Sequence, residues 1–349
     1  MLYYSTDNQR YETEKMLGKG GEAQIYSIRN HPDIVAKIFH DDKRNLARRK
    51  KARIMSQLTV SEYFRDSVAL PVAVLYEDSE MKNKFAGYIM PFVRNITELQ
   101  DVYYYNNLNY KQKVRIAQNL CIMTNLVHSA NQTIGDFNPR NIAIDSNKGT
   151  GVLIDTDSFH ITVKNSQGKT QTFPCTVGVE ALIAPELRQA LKKQKATLET
   201  IQGESFNQQT DLYALAFHIF ALLMNGSTPY RAAVNLCELG SSHTISDVTI
   251  DMFEAANEGE FLFAKKVWAK KLPEDVPDFD ILSPKLKELF TRCFIDGAKK
   301  PDKRPTAKEF YSALEEYYNM LEKRPCGHYH RKGYRKPCEF CRVKKFLQE

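Results

Sequence analysis

The sequence predicts an α+β protein in which a small strand-rich part precedes a larger helical one, followed by a short tail rich in cysteine, histidine and basic residues. Three observations carry this. The first ninety residues break into short β-branched or aromatic runs bounded by glycine and proline. From about residue 109 the apolar residues recur at helical spacing, and three of the seven cysteines fall within residues 326–341. A chain of 349 residues with 42% hydrophobic content can bury a large core, and at this length two lobes are expected rather than one.

Taken in order, YETEKMLGKGGEAQIYSIR reads as two strands around a glycine cluster, DIVAKIF as a third that ends in a turn, and FAGYIMPFV as an apolar strand stopped by proline. Between them one helix is expected over DKRNLARRKKARIMSQL, where Leu46, Ala47, Ile54, Met55 and Leu58 sit near helical spacing among basic residues. YKQKVRIAQNLCIMTNLVHSA has too many apolar positions for a surface helix and is expected to be central. NIAID and GVLIDTDSF read as a hairpin joined by SNKGT. DLYALAFHIFALLMNG is a strongly apolar helix with Gly226 beyond its end, SPKLKELFTRCF has a Ser-Pro start, and TAKEFYSALEEYYNMLEK opens with the Thr306/Glu309 pattern of a capping box. The expected division is residues 1–92, 93–322 and a tail at 323–349.

No window approaches the roughly 18 apolar residues of a membrane span, and the polar start MLYYSTDNQRYETEK lacks the regions of a signal peptide. A soluble, cytoplasmic protein with reduced cysteines is therefore expected. The net charge of +7 is mild, but basic residues crowd into RNLARRKKAR and the last thirty positions.

Four features follow one another in a telling order: the glycine-tipped hairpin GKGGEAQIY, Lys37 on the next strand, Asp136 and Asn141 in IGDFNPRN, and Asp155 at the end of an apolar strand. Protein kinases use that order, and over roughly residues 11–320 the chain resembles the protein-kinase superfamily. IAPEL at 183–187, Arg304 in KRPTAKEF as partner for Glu186, and Asp211 at the start of the apolar helix fit the same pattern.

The resemblance implies a bilobal fold with a β-rich N-lobe and a helical C-lobe. Gly18, Gly20 and Gly21 would let the backbone approach the phosphates of ATP, and Lys37 would pair with them. Asp136 would accept the hydrogen bond of the acceptor hydroxyl, while Asn141 and Asp155 would hold magnesium, a hard cation that takes oxygen ligands. Asp157 is the alternative metal ligand. The lobe connection implies adenine contacts at the Pro91 carbonyl and Val93 amide, with Met90 behind and Ile25 and Val35 also in contact with the nucleotide.

Departures from the pattern are equally legible. Ala23 stands at the third glycine position, Ile134-Gly135 replaces His-Arg, and Thr156-Asp157 replaces Phe-Gly. Without that arginine, control through a phosphorylated loop residue such as Thr170, Thr172 or Thr176 has lost its usual charge partner. The helix after Lys37 also lacks the glutamate that should pair with it. Glu22 in the hairpin, or else Glu62, is expected instead, with Glu22 preferred; the alternative is an unpaired lysine in a degenerate kinase that binds nucleotide or nothing. The wording "GGE", "GDxNxxN" and "IDxDSF" resembles a divergent bacterial kinase group encoded with von Willebrand-type and phosphatase proteins in tellurite-resistance-associated stress clusters.

The tail CGHYHRKGYRKPCEFC sets Cys326, His328, His330, Cys338 and Cys341 at spacing suited to a structural zinc knuckle with three thiolates and one of the two histidines. The expected function is ATP- and magnesium-dependent phosphorylation of serine or threonine on a protein substrate, in bacterial stress signalling. Two alternatives are a nucleotide-binding pseudokinase scaffold, and a module that binds nucleic acid or protein through its basic, aromatic tail.

Overall fold

The computed structural model describes residues 1–81, 84–94, 96–104, 108–145, 148–164, 167–230, 252–264 and 275–348. The chain divides into two compact units, Met1–Ile96 with Val152–Phe173, and Thr97–Gly151 with Pro174–Glu349.

The first unit is built on six strands: β1 (Leu2–Ser5), β2 (Arg10–Lys19), β3 (Ala23–Ile28), β4 (His31–Phe39), β5 (Ala73–Tyr76) and β6 (Phe85–Pro91). They close into a barrel of order β1-β2-β3-β4-β6-β5, because β1 pairs antiparallel with both β2 and β5. Closure leaves no open edge for a foreign strand to join. Period-two alternation sorts the side chains. Tyr11, Ile28, Ala36, Ile38, Leu75 and Ile89 share one core cluster, whereas Val35, Phe39, Val74, Tyr88 and Met90 share another with Ala52. By parity Lys37 belongs with Val35 and Phe39.

Ala52 lies on α1 (Leu46–Ser56), which starts later than the sequence implies. The Asn45 side chain accepts from the Arg48 amide and caps the helix there, so Asp41–Lys43 form a separate 3-10 turn. A second short helix, α2 (Glu62–Ser67), follows with Ser61 as its cap. Beyond the barrel the unit includes a hairpin of β10 (Ile161–Lys164) and β11 (Thr170–Phe173), on which Thr162 and Thr172 stand opposite each other.

The second unit is mainly helical and includes the short helices α3 (Leu99–Tyr103) and α5 (Pro185–Gln194). Its centre is α6 (Gln208–Leu223), buried at every position from Thr210 to Leu223, as an all-round apolar sequence requires. Phe220 of α6 meets Phe261, Phe263, Phe279, Phe290 and Phe294 at ring-centroid distances of 5.1 to 6.3 Å. Helix α4 (Tyr110–Ser129), with an Asn109/Gln112 capping box, packs against α6 and against the helix Ala307–Asn319, whose Thr306/Glu309 box matches expectation. Strand β8 (Ile142–Asp145) pairs with β7 (Thr97–Glu98) and leads through a turn, closed by the Gly149 amide on the Asp145 carbonyl, to β9 (Thr150–Leu153). Residues 146–147 of that expected turn lie outside the described residues.

The tail is folded. It forms a hairpin of β12 (Leu321–Lys323) and β13 (Tyr329–Arg331), then a helix Glu339–Phe346, with Tyr334, Phe340 and Val343 buried. Among the described residues no helix is long and apolar enough to cross a membrane.

Candidate active site

In the barrel unit, β4 carries Lys37 between Ile25 of β3 and Tyr88 of β6. Gly87, next to Tyr88, permits the close approach of these strands: a Cβ there would overlap the Lys37 carbonyl. The Lys37 Nζ donates to Asp155 Oδ1 at 2.5 Å and to Asp157 Oδ1, which also accepts from the Tyr88 hydroxyl at 2.7 Å. Burial alone would lower the Lys37 ammonium, but Asp157, Tyr88 and Asp155 together hold it well above the usual lysine range. Asp155 is pushed up to about 7 by burial and by the Asp157 charge beside it, while the Lys37 ammonium overcomes burial to hold Asp157 below the usual carboxylate range.

The expected partner for Lys37 is thereby corrected. Glu22 instead takes the Arg48 guanidinium in a two-pronged contact at 2.6 and 3.0 Å. Arg48 stands on α1, stacked over Phe39 at 5.0 Å. From the same helix, buried Lys51 donates to the Asp157 carbonyl at 2.5 Å. The charges are exchanged relative to the kinase pattern. The helix presents cations, and two aspartates in the turn after β9 supply the anions. This accounts for much of the basic run: Arg44, Arg48 and Lys51 serve the unit's own carboxylates and carbonyls, leaving less of it for a nucleic acid. Thr156, at the usual phenylalanine position, is fully buried and donates to the Ala69 carbonyl at 3.2 Å.

Ile25, Val35 and Met90 gather on the Lys37 face, and Pro91 ends β6 opposite Ile34, with half-buried Val93 two residues on. At Gly18 and Gly21 a Cβ would meet nothing within 4 Å, and none of Gly18, Gly20 and Gly21 has a positive φ. Neither packing nor torsion requires glycine there.

In the helical unit, Asp136 and Asn141 lie on a loop clamped from α6. Fully buried Asp211 accepts from the Ile134 amide at 2.8 Å, the Gly135 amide at 3.0 Å and His128 Nε2 at 2.9 Å. Gly135 has φ +79°, a conformation an arginine would adopt only under strain, which explains the residue found there. The Asn141 side-chain amide donates to Asp136 Oδ2 at 3.4 Å, and Asn138 accepts from the Arg140 amide to hold the turn through Pro139. Asp136 Oδ1 is buried and has no hydrogen-bond partner among the described residues. Burial raises the Asp136 carboxyl above its usual range, against the opposing pull of the Val179 backbone and Asn141.

One clamp residue escaped the sequence reading. His218 of α6, fully buried, donates from Nε2 to the Phe137 carbonyl at 2.7 Å and accepts from the Tyr103 hydroxyl on Nδ1 at 2.5 Å. Its only signal was a lone histidine in an apolar helix. Burial lowers it from 6.5 to about 4, although the Phe137 carbonyl pulls the other way. The unfolded chain thus binds the extra proton between these values, so stability is complete above pH 6.5 and is lost as pH falls towards 4. About 3 kcal/mol is expected to go. Urea unfolding at pH 7 and pH 4.5 checks this: His218→Gln should be less stable at neutral pH but lose less on acidification than the native chain.

Glu186 and Arg304 meet as the motif implies, through paired contacts of 2.8 and 2.6 Å, and Arg304 also donates to the Gln209 carbonyl. In the tail, Cys326, His328, Cys338 and Cys341 converge, with their donor atoms within 4.8 Å of one another. His330 is not in that group. Tyr334 and Phe340 are buried, so they offer no faces for base stacking, and Arg324, Arg331, Lys336 and Arg342 bond within the unit.

No family model matches the chain. Two curated proteins named protein kinase YegI, from Escherichia coli strain K12 and from Escherichia coli O157:H7, are 27% and 26% identical to it over 314 and 327 residues. Those stretches cover 88% and 92% of this chain but 44% and 47% of theirs, so the chain spans about half the length of the curated relatives it matches. Among solved structures, a crystal structure of Rad53 1-466 in complex with AMP-PNP matches with a TM-score of 0.54 at 15% identity, covering 90% of this chain and 66% of that one. The fold is protein-kinase-like, and the similarity to the two YegI proteins supports a place in the protein-kinase-like superfamily.

Proposed function

We propose that the chain is a protein kinase that transfers the γ-phosphoryl group of ATP to a serine or threonine hydroxyl of a protein substrate. The observation that carries this reading is Asp136: a partly buried carboxylate on a doubly clamped loop, one buried oxygen of which has no hydrogen-bond partner among the described residues. A buried acceptor in that state is costly unless something donates to it, and the hydroxyl of an acceptor side chain does so.

The donor chemistry fits the other components. The unforced glycines at 18, 20 and 21 suit a backbone that a phosphate approaches closely. Asp155, with Asp157 beside it, and the Asn141 amide oxygen are each hard oxygen donors of the kind magnesium takes, and magnesium would neutralise phosphate charge. Lys37 would bind phosphate oxygens while Asp157, held by Tyr88 and Lys51, keeps its ammonium in place. Asp136 would orient the hydroxyl and take its proton as the bond to phosphorus forms.

The bilobal arrangement, the serine/threonine preference and a role in bacterial stress signalling beside a von Willebrand-type protein and a phosphatase come from the resemblance to divergent bacterial kinases, and a cytoplasmic location belongs with them. Zinc is the metal proposed for the C-terminal Cys/His group.

Asp157→Asn and Glu22→Gln separate the two candidate partners of Lys37. Measured as kcat/KM for ATP, the Asp157 variant is expected to fall about tenfold or more, the scale of one lost charge-assisted bond, and the Glu22 variant by much less. Equal losses would return Glu22 to the role. A second reading, a nucleotide-binding scaffold, is favoured by one feature: two carboxylates already neutralise Lys37. ATP binding without phosphoryl transfer to any of a panel of protein substrates would select it.

A further inference from the structure

We propose that Cys326, His328, Cys338 and Cys341 form a tetrahedral zinc site that locks the C-terminal tail onto the helical unit, with His330 as a positioning residue rather than a ligand. The proposal stands independently of phosphoryl transfer.

Geometry selects the histidine. His328 Nδ1 lies 3.4 Å from both Cys338 Sγ and Cys341 Sγ. A tetrahedron with Zn–S of about 2.3 Å and Zn–N of about 2.05 Å has S···N edges of about 3.6 Å and S···S edges of about 3.8 Å, so the donors need only small shifts to close on the ion. Three thiolates and one imidazole are the donor set zinc prefers, and four protein donors leave no open position, which makes the site structural.

His330 does something else. Its ring is buried, stacked on Tyr334 at 5.2 Å, and its Nε2 lies 3.1 Å from Cys338 Sγ. An N–H directed at a thiolate spreads that sulfur's charge and fixes its orientation, as outer groups do for metal ligands generally. The Cys341 amide approaches the same sulfur at 3.4 Å.

The site stands where the tail needs a lock. Cys338 caps the helix Glu339–Phe346. From that helix Glu339 accepts from the Asp278 amide at 3.0 Å, Arg342 donates to the Val276 carbonyl at 2.6 Å, and Phe340 packs on Tyr110 at 4.7 Å. Lys336 bridges Asp278 and Asp280 at 2.5 and 2.9 Å. The metal would join the turn at Cys326–His328 to the start of this helix and so hold all of these contacts together.

The test uses the full chain. Plasma mass spectrometry should find one zinc per chain in the wild type, with loss in Cys338→Ser and in His328→Ala. His330→Phe should keep the zinc but with affinity for it about ten- to a hundredfold lower in competition with a chromogenic chelator. Because the cysteine variant can fail to fold, wild-type protein is also refilled with cobalt, which should give thiolate charge-transfer and tetrahedral ligand-field bands. Chelation should lower the melting temperature, and zinc should restore it. A wild-type chain that binds neither zinc nor cobalt overturns the site. Zinc kept by His328→Ala but lost by His330→Phe overturns the ligand assignment, and a melting temperature indifferent to chelation overturns the lock.

Discussion

Replacing Asp136 by alanine is expected to lower phosphoryl transfer by about a hundred- to ten-thousandfold while leaving the fold intact. The two halves of that expectation have separate physical origins. On the proposed function, rate falls because the acceptor hydroxyl loses the group that orients it and takes its proton. Stability holds because Asp136 contributes little to the fold: its side-chain bond to Asn141 is long at 3.4 Å, and burial outweighs the combined pull of the Val179 backbone and Asn141 on its charged form. Removing a carboxylate that burial already disfavours is neutral or slightly stabilising. Transfer of label from ATP to a protein substrate, with urea unfolding of the same samples, checks both parts. Undiminished transfer would exclude Asp136 as the acceptor's base, and a large loss of stability would make it a structural residue.

Arg304→Ala is expected to destabilise the helical unit by about 3 to 5 kcal/mol, because it strands a partly buried carboxylate. The Arg304 side chain is 0% exposed and that of Glu186 24%, so both sit where water replaces a lost partner poorly. Arg304 also donates to the Gln209 carbonyl and lies over the Tyr213 ring at 5.4 Å, contacts that alanine removes as well. Glu186 lies outside any direct role at Asp136, so activity per folded molecule should change less than stability. Denaturant unfolding of Arg304→Ala, Glu186→Leu and the double variant measures the pair. The double variant should recover part of the loss, since no charge is then left alone. Additive losses would show that the two residues act separately.

What the sequence by itself determined is what short-range pattern encodes. Alternation in DIVAKIF sets Lys37 on the face of β4 shared with Val35 and Phe39. The unbroken apolar run of DLYALAFHIF makes α6 a buried helix, and Thr306 with Glu309 caps the helix where the motif says it should. The D-x-x-x-x-N spacing likewise brings Asp136 and Asn141 onto one loop, because five residues around a proline allow few other arrangements.

The tertiary structure decided who meets whom. Lys37 is 118 and 120 residues from Asp155 and Asp157, and no periodicity indicates that the second of these, rather than Glu22, faces the ammonium. Glu22 was nearer in sequence, but Arg48 on α1 reaches it first, and the charge exchange between helix and turn emerges only when α1 packs on the barrel. His218 and the choice of His328 over His330 belong to the same category. A buried imidazole is read from sequence as one more core residue until the carbonyl, hydroxyl or sulfur against it is known, and those partners come from other elements that packing brings alongside.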